Sequence, residues 1–257
     1  MRQNNRWIGW FFLLIGILFL SSTVYASASV DDFSRVLSAL PLTSEDRILA
    51  AIETGLSQDG FPAEGMLQLT QQLVTIPGSV EEKEGILTLI ARTIEEGLPA
   101  EGMIEKGFDL AGALGEEGLP IEAIIQEALK WFTQRAPLSS IEYGISRRLF
   151  LLRAIRGLLF EKGIFSVPPG APQTSPNALP EPRFNELLLQ ISDEVGDYLD
   201  GGGSPFEGEV LRTQVINRLA RLKGDVIRGS DVNLIRDNIT ASDLTRVALA
   251  ALSQPTE

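Results

Sequence analysis

The stretch EEGLP occurs twice in this chain, at residues 95–99 and again at residues 116–120. A looser copy, DGFP, occupies residues 59–62. In each copy a glycine is followed by an apolar residue and then by a proline. Glycine readily takes the left-handed backbone conformation that ends a helix, and the apolar residue after it can pack back onto the last helical turn. The motif therefore predicts the end of one helix and the start of the next.

The residues after each glycine fit the beginning of a new helix. The prolines, Pro62, Pro99 and Pro120, are predicted at the first helical position, where a missing N–H costs nothing. A glutamate follows two residues after each proline, and the dipole of the new helix favours negative charge there. The recurrence of the motif is thus better explained by repeated helix–helix joints than by repeated ligand-binding loops.

The spacing of the joints gives the size of the structural unit. Gly60 and Gly97 are 37 residues apart, whereas Gly97 and Gly118 are only 21 apart. The shorter interval accommodates one helix and its turn, and the longer one accommodates two helices separated at residues 77–79. Such units, stacked as helical hairpins, share a continuous core between neighbours.

Apolar residues recur at intervals of three and four between the joints, which is the pattern of amphipathic helices. No segment alternates apolar and polar residues for long enough to predict a strand. The predicted helical stripes cover residues 48–56, 66–74, 86–94, 100–114, 121–132, 184–198, 211–226 and 244–251. The sequence therefore predicts an all-α protein built as an array of short antiparallel helical hairpins, either α-solenoid-like or an irregular bundle, followed by a small C-terminal helical bundle.

A proline-rich segment divides the predicted helices into two groups. Residues 166–182 read SVPPGAPQTSPNALPEP and hold six of the 14 prolines. Proline disfavours both helix and sheet, so this segment is predicted to be an extended linker. It separates an acidic helical-repeat domain at residues 29–165 from a C-terminal helical domain at residues 183–254.

The N-terminal residues 1–28 have the layout of a secretory signal peptide. Arg2 and Arg6 precede an uncharged apolar run at residues 7–20, and small residues suited to cleavage follow. An uncleaved anchor is the alternative, because residues 7–28 carry no charge and about 20 apolar residues can cross a bilayer. The sequence therefore predicts export to the bacterial periplasm or the extracellular space, or alternatively an N-terminal anchor in the inner membrane.

The composition excludes several kinds of chemistry, because the chain has no cysteine and no histidine. Without cysteine, the chain cannot form disulfides, thiolate nucleophiles or cysteine metal sites. Without histidine, it cannot form a Ser-His-Asp triad or most zinc, copper and haem sites. Any catalysis would depend on carboxylates, lysine, tyrosine, serine or threonine.

Charge is distributed unevenly along the chain. Residues 45–127 contain 17 acidic and 4 basic residues, whereas residues 130–162 contain 7 basic and 2 acidic ones. The net charge of −12 argues against nucleic acid as a partner, because phosphates need lysine and arginine. The acidic side chains are mostly those that helices expose to water, so a solvated surface is the leading interpretation of this segment. Contact with a basic partner, such as another exported or envelope protein, and loose binding of divalent cations are the alternatives.

The predicted helix at residues 139–162 is apolar nearly all round, yet it contains Arg147, Arg148, Arg153 and Arg156. One interpretation is a basic helix that lies on a membrane surface, with these arginines on an exposed face. The favoured interpretation is a central bundle helix whose arginines extend to solvent or to neighbouring carboxylates.

Carboxylates are concentrated at residues 193–209. Asp193, Asp197 and Asp200 precede a triple glycine, and Glu207 and Glu209 follow it. Paired carboxylates can transfer protons or bind calcium, but the ligand spacing of an EF-hand is absent. A helix end, a glycine-rich turn and a new helix start explain the stretch without a ligand. The sequence therefore assigns no catalytic, cofactor-binding or metal-binding residue.

Three hypotheses about function follow. The first is an exported, non-enzymatic helical-repeat protein that serves protein–protein interaction or cell-envelope structure. The second is a carboxylate-based hydrolase acting on an envelope polymer, which requires two acids in a cleft, one of them with a raised pKa. The third is a peripheral membrane or lipid-binding protein that uses residues 139–162.

Overall fold

The computed structural model describes residues 28–168, 175, 177–222 and 227–253, and over these residues the chain is predominantly helical. The predicted signal or anchor segment lies outside the described residues, apart from its last residue. The all-α class is confirmed. The helices are α1 (Val30–Leu37), α2 (Glu45–Leu56), α3 (Ala63–Thr75), α4 (Val80–Glu95), α5 (Glu101–Gly115), α6 (Glu122–Thr133), α7 (Leu138–Glu161), α8 (Glu181–Asp200), α9 (Gly208–Arg221), α10 (Gly229–Asn238) and α11 (Ala241–Leu252).

The first seven helices pack mainly on helices two positions away in the chain. Helix α1 contacts α3, α3 contacts α5, and α5 contacts α7, while α2 contacts α4 and α4 contacts α6. Consecutive helices also pack at α1–α2, α4–α5 and α6–α7. Neighbour-to-neighbour packing of this kind is expected for stacked hairpins. Classification of the array as a solenoid stays a prediction.

The C-terminal helices pack on the last helix of this array. Helix α8 lies between α7 and α9, and α11 contacts α7, α8 and α9. The buried apolar side chains form one cluster that reaches from Ala28 to Ala251. Apolar packing therefore continues from one side of residues 166–182 to the other, and the division into two domains stays a prediction.

Two short strands interrupt the helical pattern, contrary to the expectation that the chain has none. Strand β1 (Phe165–Val167) pairs in parallel with β2 (Ala178–Pro180), and both contact α8. Each strand has three residues, which is too short for an alternating pattern to be recognised in the sequence. Helix α8 begins directly after β2, so the predicted linker overlaps the first two residues of this helix.

The repeated joints have the predicted backbone. Gly60, Gly97 and Gly118 have φ angles of 83°, 68° and 61°. At the second joint the Leu98 N–H donates to Thr93 O at 3.0 Å and the Gly97 N–H donates to Ile94 O at 2.9 Å. These two bonds are those of a Schellman motif, which satisfies the last carbonyls of a helix.

The proline position at the joints differs from the prediction. Pro62 is the N-cap of α3, whereas Pro99 and Pro120 lie one residue before the caps of α5 and α6. None of the three is the first helical residue. Ala100 and Ile121 are the N-caps and already have near-helical backbone angles. At these two joints one residue therefore separates the proline from the first residue of the new helix.

A further joint of the same kind has no glycine and was not predicted. Arg135 has a φ of 59° and is followed by Ala136 and Pro137. The Ala136 N–H donates to Trp131 O at 3.0 Å, and the Arg135 N–H donates to Phe132 O at 2.9 Å. The backbone therefore repeats the Gly97 joint, with an arginine in a conformation that an L-residue side chain disfavours.

Replacing Arg135 with glycine is expected to raise the free energy of unfolding by about 0.5–1 kcal/mol. Relief of the left-handed strain, about 1–2 kcal/mol, outweighs the greater freedom of glycine in the unfolded chain. Urea denaturation followed by circular dichroism measures the change. Gly97→Ala, which introduces the same strain at a matched joint, is the control and is expected to be less stable than the wild type. A lower urea midpoint for Arg135→Gly would contradict this account.

Candidate functional site at the junction of four helices

Three of the carboxylates concentrated at residues 193–209 lie on the polar side of α8. Asp193, Asp197 and Asp200 are spaced by four and three residues, so they share one face of that helix. This face meets arginines from the neighbouring helices α7 and α9. The result is an ionic cluster in which α6, α7, α8 and α9 all take part.

Arg148 lies at the centre of this cluster, and its side chain is 12% exposed. Its Nε is 3.0 Å from Glu127 Oε2 on α6, and its terminal nitrogens are 3.3 Å from Asp197 Oδ1 and 3.6 Å from Asp193 Oδ1. Gly196 makes this approach possible, because a side chain there would collide with the guanidinium. Arg148 therefore links three helices through one group.

Arg218 of α9 approaches the same carboxylates from the opposite side. It donates to Gln190 Oε1 at 2.7 Å, to Asp197 Oδ2 at 3.1 Å and to Glu194 Oε2 at 3.3 Å. A fourth approach, of 3.5 Å, joins it to Asp193 Oδ2. Asp193 and Asp197 therefore lie between two guanidinium groups.

Protonation in the cluster reflects a competition between burial and charge. Burial raises the pKa of Asp193, although Arg148 and Arg218 both act to lower it. Burial acts to lower the pKa of Arg148, but the charges of Glu127 and Asp193 outweigh it, so this pKa is raised and the guanidinium stays cationic.

Asp193→Asn is expected to be at least as stable as the wild type at pH 7. A carboxyl whose folded pKa is raised binds its proton more readily in the folded state. Ionised Asp193 therefore costs stability, and this cost appears as pH rises from the ordinary aspartate pKa through the raised one. Any gain from asparagine should shrink as the pH falls towards 4.

Urea midpoints at pH 7 and pH 4 test this expectation. Asp197→Asn is the control, because Asp197 contacts the same two arginines but its side chain is 55% exposed. A pronounced loss of stability at pH 7 in Asp193→Asn alone would show that its ion pairs outweigh its burial.

The arginines of α7 do not form one exposed face, so the expectation behind the membrane-surface interpretation is not met. The side chains of Arg147 and Arg148 are 14% and 12% exposed, and Arg147 pairs with Asp200. Arg153 donates to Glu117 Oε1 at 2.8 Å, and Arg156 donates to the Glu117 carbonyl oxygen. The interpretation that these side chains extend to neighbouring carboxylates is confirmed for Arg147, Arg148 and Arg153.

Glu207 and Glu209 lie apart from the cluster. Glu207 accepts a hydrogen bond from the Tyr198 hydroxyl at 3.1 Å, and Glu209 is 3.8 Å from Arg212 within its own helix. Gly202 has a φ of 79° and the Gly203 N–H donates to Tyr198 O at 2.9 Å, which is again the end of a helix. Turn chemistry therefore accounts for residues 201–209, as expected.

Sequence reasoning missed Arg218, Glu127 and Gln190 as members of the cluster. Arg218 is one of several cations on the polar side of α9, and Glu127 is one of many acids in the segment 45–127. Neither Arg218 nor Glu127 stands in a sequence pattern that marks it as part of a cluster. Only the docking of α8 between α7 and α9 brings them to Asp193 and Asp197.

Several cavities adjoin the cluster among the described residues, and Asp197 lines two of them. A groove of about 810 Å³ runs between α8 and α9, and a smaller cavity of about 370 Å³ lies between α6, α7 and α8. In the part of the chain that the structure describes, no group of three acidic side chains is arranged to hold a metal ion. Over the same residues, no helix is both long enough and apolar enough to cross a membrane.

Comparisons of the chain with protein-family models, with curated proteins and with solved structures found no match.

Proposed function

We propose that this chain is an exported, non-enzymatic protein that binds a basic partner protein of the cell envelope through the acidic surface of α2–α6. The observation that carries the proposal is that the basic segment of the chain leaves this surface largely unneutralised. Arg147 and Arg148 pair mainly with carboxylates of α8, and only Glu117 and Glu127 of the acidic segment take part in the ion pairs of α7.

Many acidic side chains on α2–α6 and on the joints between these helices are exposed and make no ion pair with a described residue. They are Asp46, Glu53, Asp59, Glu64, Glu81, Glu96, Glu101, Glu105, Glu116 and Glu122. Unpaired surface charge of one sign speeds association with a partner of the opposite sign and fixes its orientation. Such an interaction weakens as salt screens the charges.

Part of this surface is concentrated at one edge of the array. Helices α3 and α5 pack side by side with their N-termini at the same end, since a Cβ at Gly65 would lie 3.7 Å from Ile104. Glu64 and Glu101 therefore lie on neighbouring first turns, and Glu105 lies one turn further along α5. Their negative charges stabilise the helix starts and face solvent together.

Affinity capture from the cell envelope, with the full chain as bait, tests the proposal. A triple variant, Glu64→Gln/Glu101→Gln/Glu105→Gln, is compared with the matched control Asp31→Asn/Glu181→Gln/Asp237→Asn, whose exposed acids lie outside α2–α6. We expect a basic protein to be retained by the wild type and the control at low salt, released at high salt, and bound at least tenfold more weakly by the triple variant. Equal retention by all three baits would count against the proposal.

A carboxylate-based hydrolase is the alternative that one observation favours, namely the raised pKa of Asp193 beside Asp197 in a cavity. It ranks second because Arg148 and Arg218 both contact these carboxylates, where a substrate would have to bind. Incubation of purified envelope polymer with the wild type and with Asp193→Asn distinguishes the two. Product release by the wild type that Asp193→Asn abolishes would favour the hydrolase over the binding protein.

Export rests on residues 1–28, and N-terminal sequencing of the protein from fractionated cells tests it. A chain that begins near residue 29 in the periplasmic or extracellular fraction is the expected result. A chain that retains residues 1–28 in the membrane fraction would favour the anchor instead. Recovery from the cytoplasm would contradict both.

A further inference from the structure

The groove between α8 and α9 has two facing polar walls. The two helices are joined by the short turn at residues 201–207 and pack against each other. Side chains on each wall recur at intervals of three and four residues, so they form continuous stripes along the helices. The stripes consist of Gln190, Glu194 and Asp197 on α8, and of Gln214, Asn217, Arg218 and Arg221 on α9.

The α9 wall carries hydrogen-bonding groups that have no partner among the described residues. Arg218 extends from α9 to α8, where it donates hydrogen bonds to Gln190, Glu194 and Asp197. Gln214, Asn217 and Arg221 are exposed, and among the described residues none of them makes a hydrogen bond or an ion pair. A ligand in the groove would therefore meet free donors and acceptors along one side.

We propose that this groove binds an extended polypeptide segment through its main chain. Glutamine and asparagine side chains are amides, with one acceptor oxygen and two donor hydrogens, so they complement the N–H and C=O groups of a peptide. The charges of Arg218 and Arg221 are balanced by those of Glu194 and Asp197. The lining thus favours a neutral polar segment over a charged one.

Other polymers fit the lining less well. Sugars and nucleobases are bound by stacking on exposed aromatic faces. Among the described residues that line the groove, Tyr198 is the one aromatic residue. Its side chain is largely buried, and its hydroxyl donates to Ser204 O and Glu207. A nucleic acid would also require an excess of positive charge, which a balanced lining does not supply.

The dimensions indicate a short recognition segment. The stripe from Gln214 to Arg221 covers seven intervals of about 1.5 Å each, or roughly 10 Å. An extended chain rises about 3.3 Å per residue, so the stripe accommodates about three residues. Leu222, which is 46% exposed at one end of the groove, provides contact for one apolar side chain of the segment.

This inference rests on the proposed function in that the partner is a protein, but it uses a different surface from the acidic one. An experiment can therefore contradict the proposed function or the groove inference without contradicting the other. Glu64→Gln/Glu101→Gln/Glu105→Gln should leave binding to the groove intact, and a groove variant should leave capture of a basic protein at low salt intact.

Selection of a phage-displayed library of random heptapeptides against the full chain tests the inference. The most enriched peptide is synthesised with a fluorescent label and titrated by anisotropy. Gln214→Ala/Asn217→Ala is expected to bind it about tenfold more weakly, because two hydrogen bonds are lost. Gln68→Ala/Gln71→Ala, which removes two exposed amides from α3, is the matched control and should bind as the wild type does.

Circular dichroism checks that both double variants keep the wild-type helix content. Three results would overturn the inference: no peptide enriched above an empty support, equal affinity in the groove variant and the wild type, or binding of envelope oligosaccharides but of no peptide. The last result would assign the groove to carbohydrate.

Discussion

Arg148→Ala is expected to lower the free energy of unfolding by about 3–5 kcal/mol, because it removes the shared partner of three carboxylates. Glu127, Asp193 and Asp197 all lie within 3.6 Å of the guanidinium. Without it, Asp193 keeps only Arg218 in a partly buried position, and Glu127 has no cation among the described residues. The alanine also leaves a space at Gly196, where the backbone of α8 packs on the arginine. Urea denaturation followed by circular dichroism measures the loss.

Arg153→Ala is the matched control on the same helix. Arg153 has a single acidic partner, Glu117, and its side chain is 42% exposed. Exposed pairs of this kind contribute about 0–1 kcal/mol, so the control should change stability little. Equal effects of the two substitutions would show that the cluster stabilises the junction no more than a surface ion pair does.

Asp231→Ala is also expected to lower the free energy of unfolding by about 3–5 kcal/mol, because it removes both a buried ion pair and a helix cap. Asp231 is 1% exposed and accepts a hydrogen bond from Arg183 Nε of α8 at 3.1 Å. It also accepts from the Arg228 N–H at 2.8 Å, which caps the start of α10. Alanine would leave the Arg183 guanidinium largely buried without its acceptor and would leave α10 uncapped.

The loss of stability in Asp231→Ala should be concentrated in the C-terminal helices. Amide hydrogen exchange is expected to speed up in α10 before it does so in α2–α6, and urea denaturation gives the total change. Asp237→Ala removes an exposed carboxylate from the same helix that has no ion-pair partner among the described residues. It should leave both the exchange in α10 and the free energy of unfolding within about 0.5 kcal/mol of the wild type. Unchanged exchange in α10 of Asp231→Ala would contradict the expectation.

Local chemistry explains why the helical pattern was predictable. Gly60, Gly97 and Gly118 supply the left-handed backbone that their joints need, and no distant residue is required to recognise them. Arg135 occupies the same backbone conformation, but its identity carries no such signal. Its joint was missed because arginine, unlike glycine, is not a residue type that indicates a left-handed backbone.

The ionic cluster could be predicted only in part, for a tertiary reason. The periodicity of residues 193–200 places Asp193, Asp197 and Asp200 on one helix face, and the apolar character of α7 indicates that its arginines need partners. The sequence does not specify that α8 lies between α7 and α9. Arg218 and Glu127 were therefore not identifiable, and neither was the burial that raises the pKa of Asp193.

The dependence of α7 on α8 has a consequence for the order of folding. A chain is synthesised from its N-terminus, so α1–α7 are complete before α8 exists. During that interval Arg147 and Arg148 lack Asp193, Asp197 and Asp200, and Arg148 has only Glu127 for compensation. A chain that stops at residue 168 would keep the joints at Gly60, Gly97, Gly118 and Arg135, yet Arg147 would lose Asp200 and Arg148 would keep only Glu127. Docking of α8 therefore supplies α7 with ion pairs as well as apolar contacts.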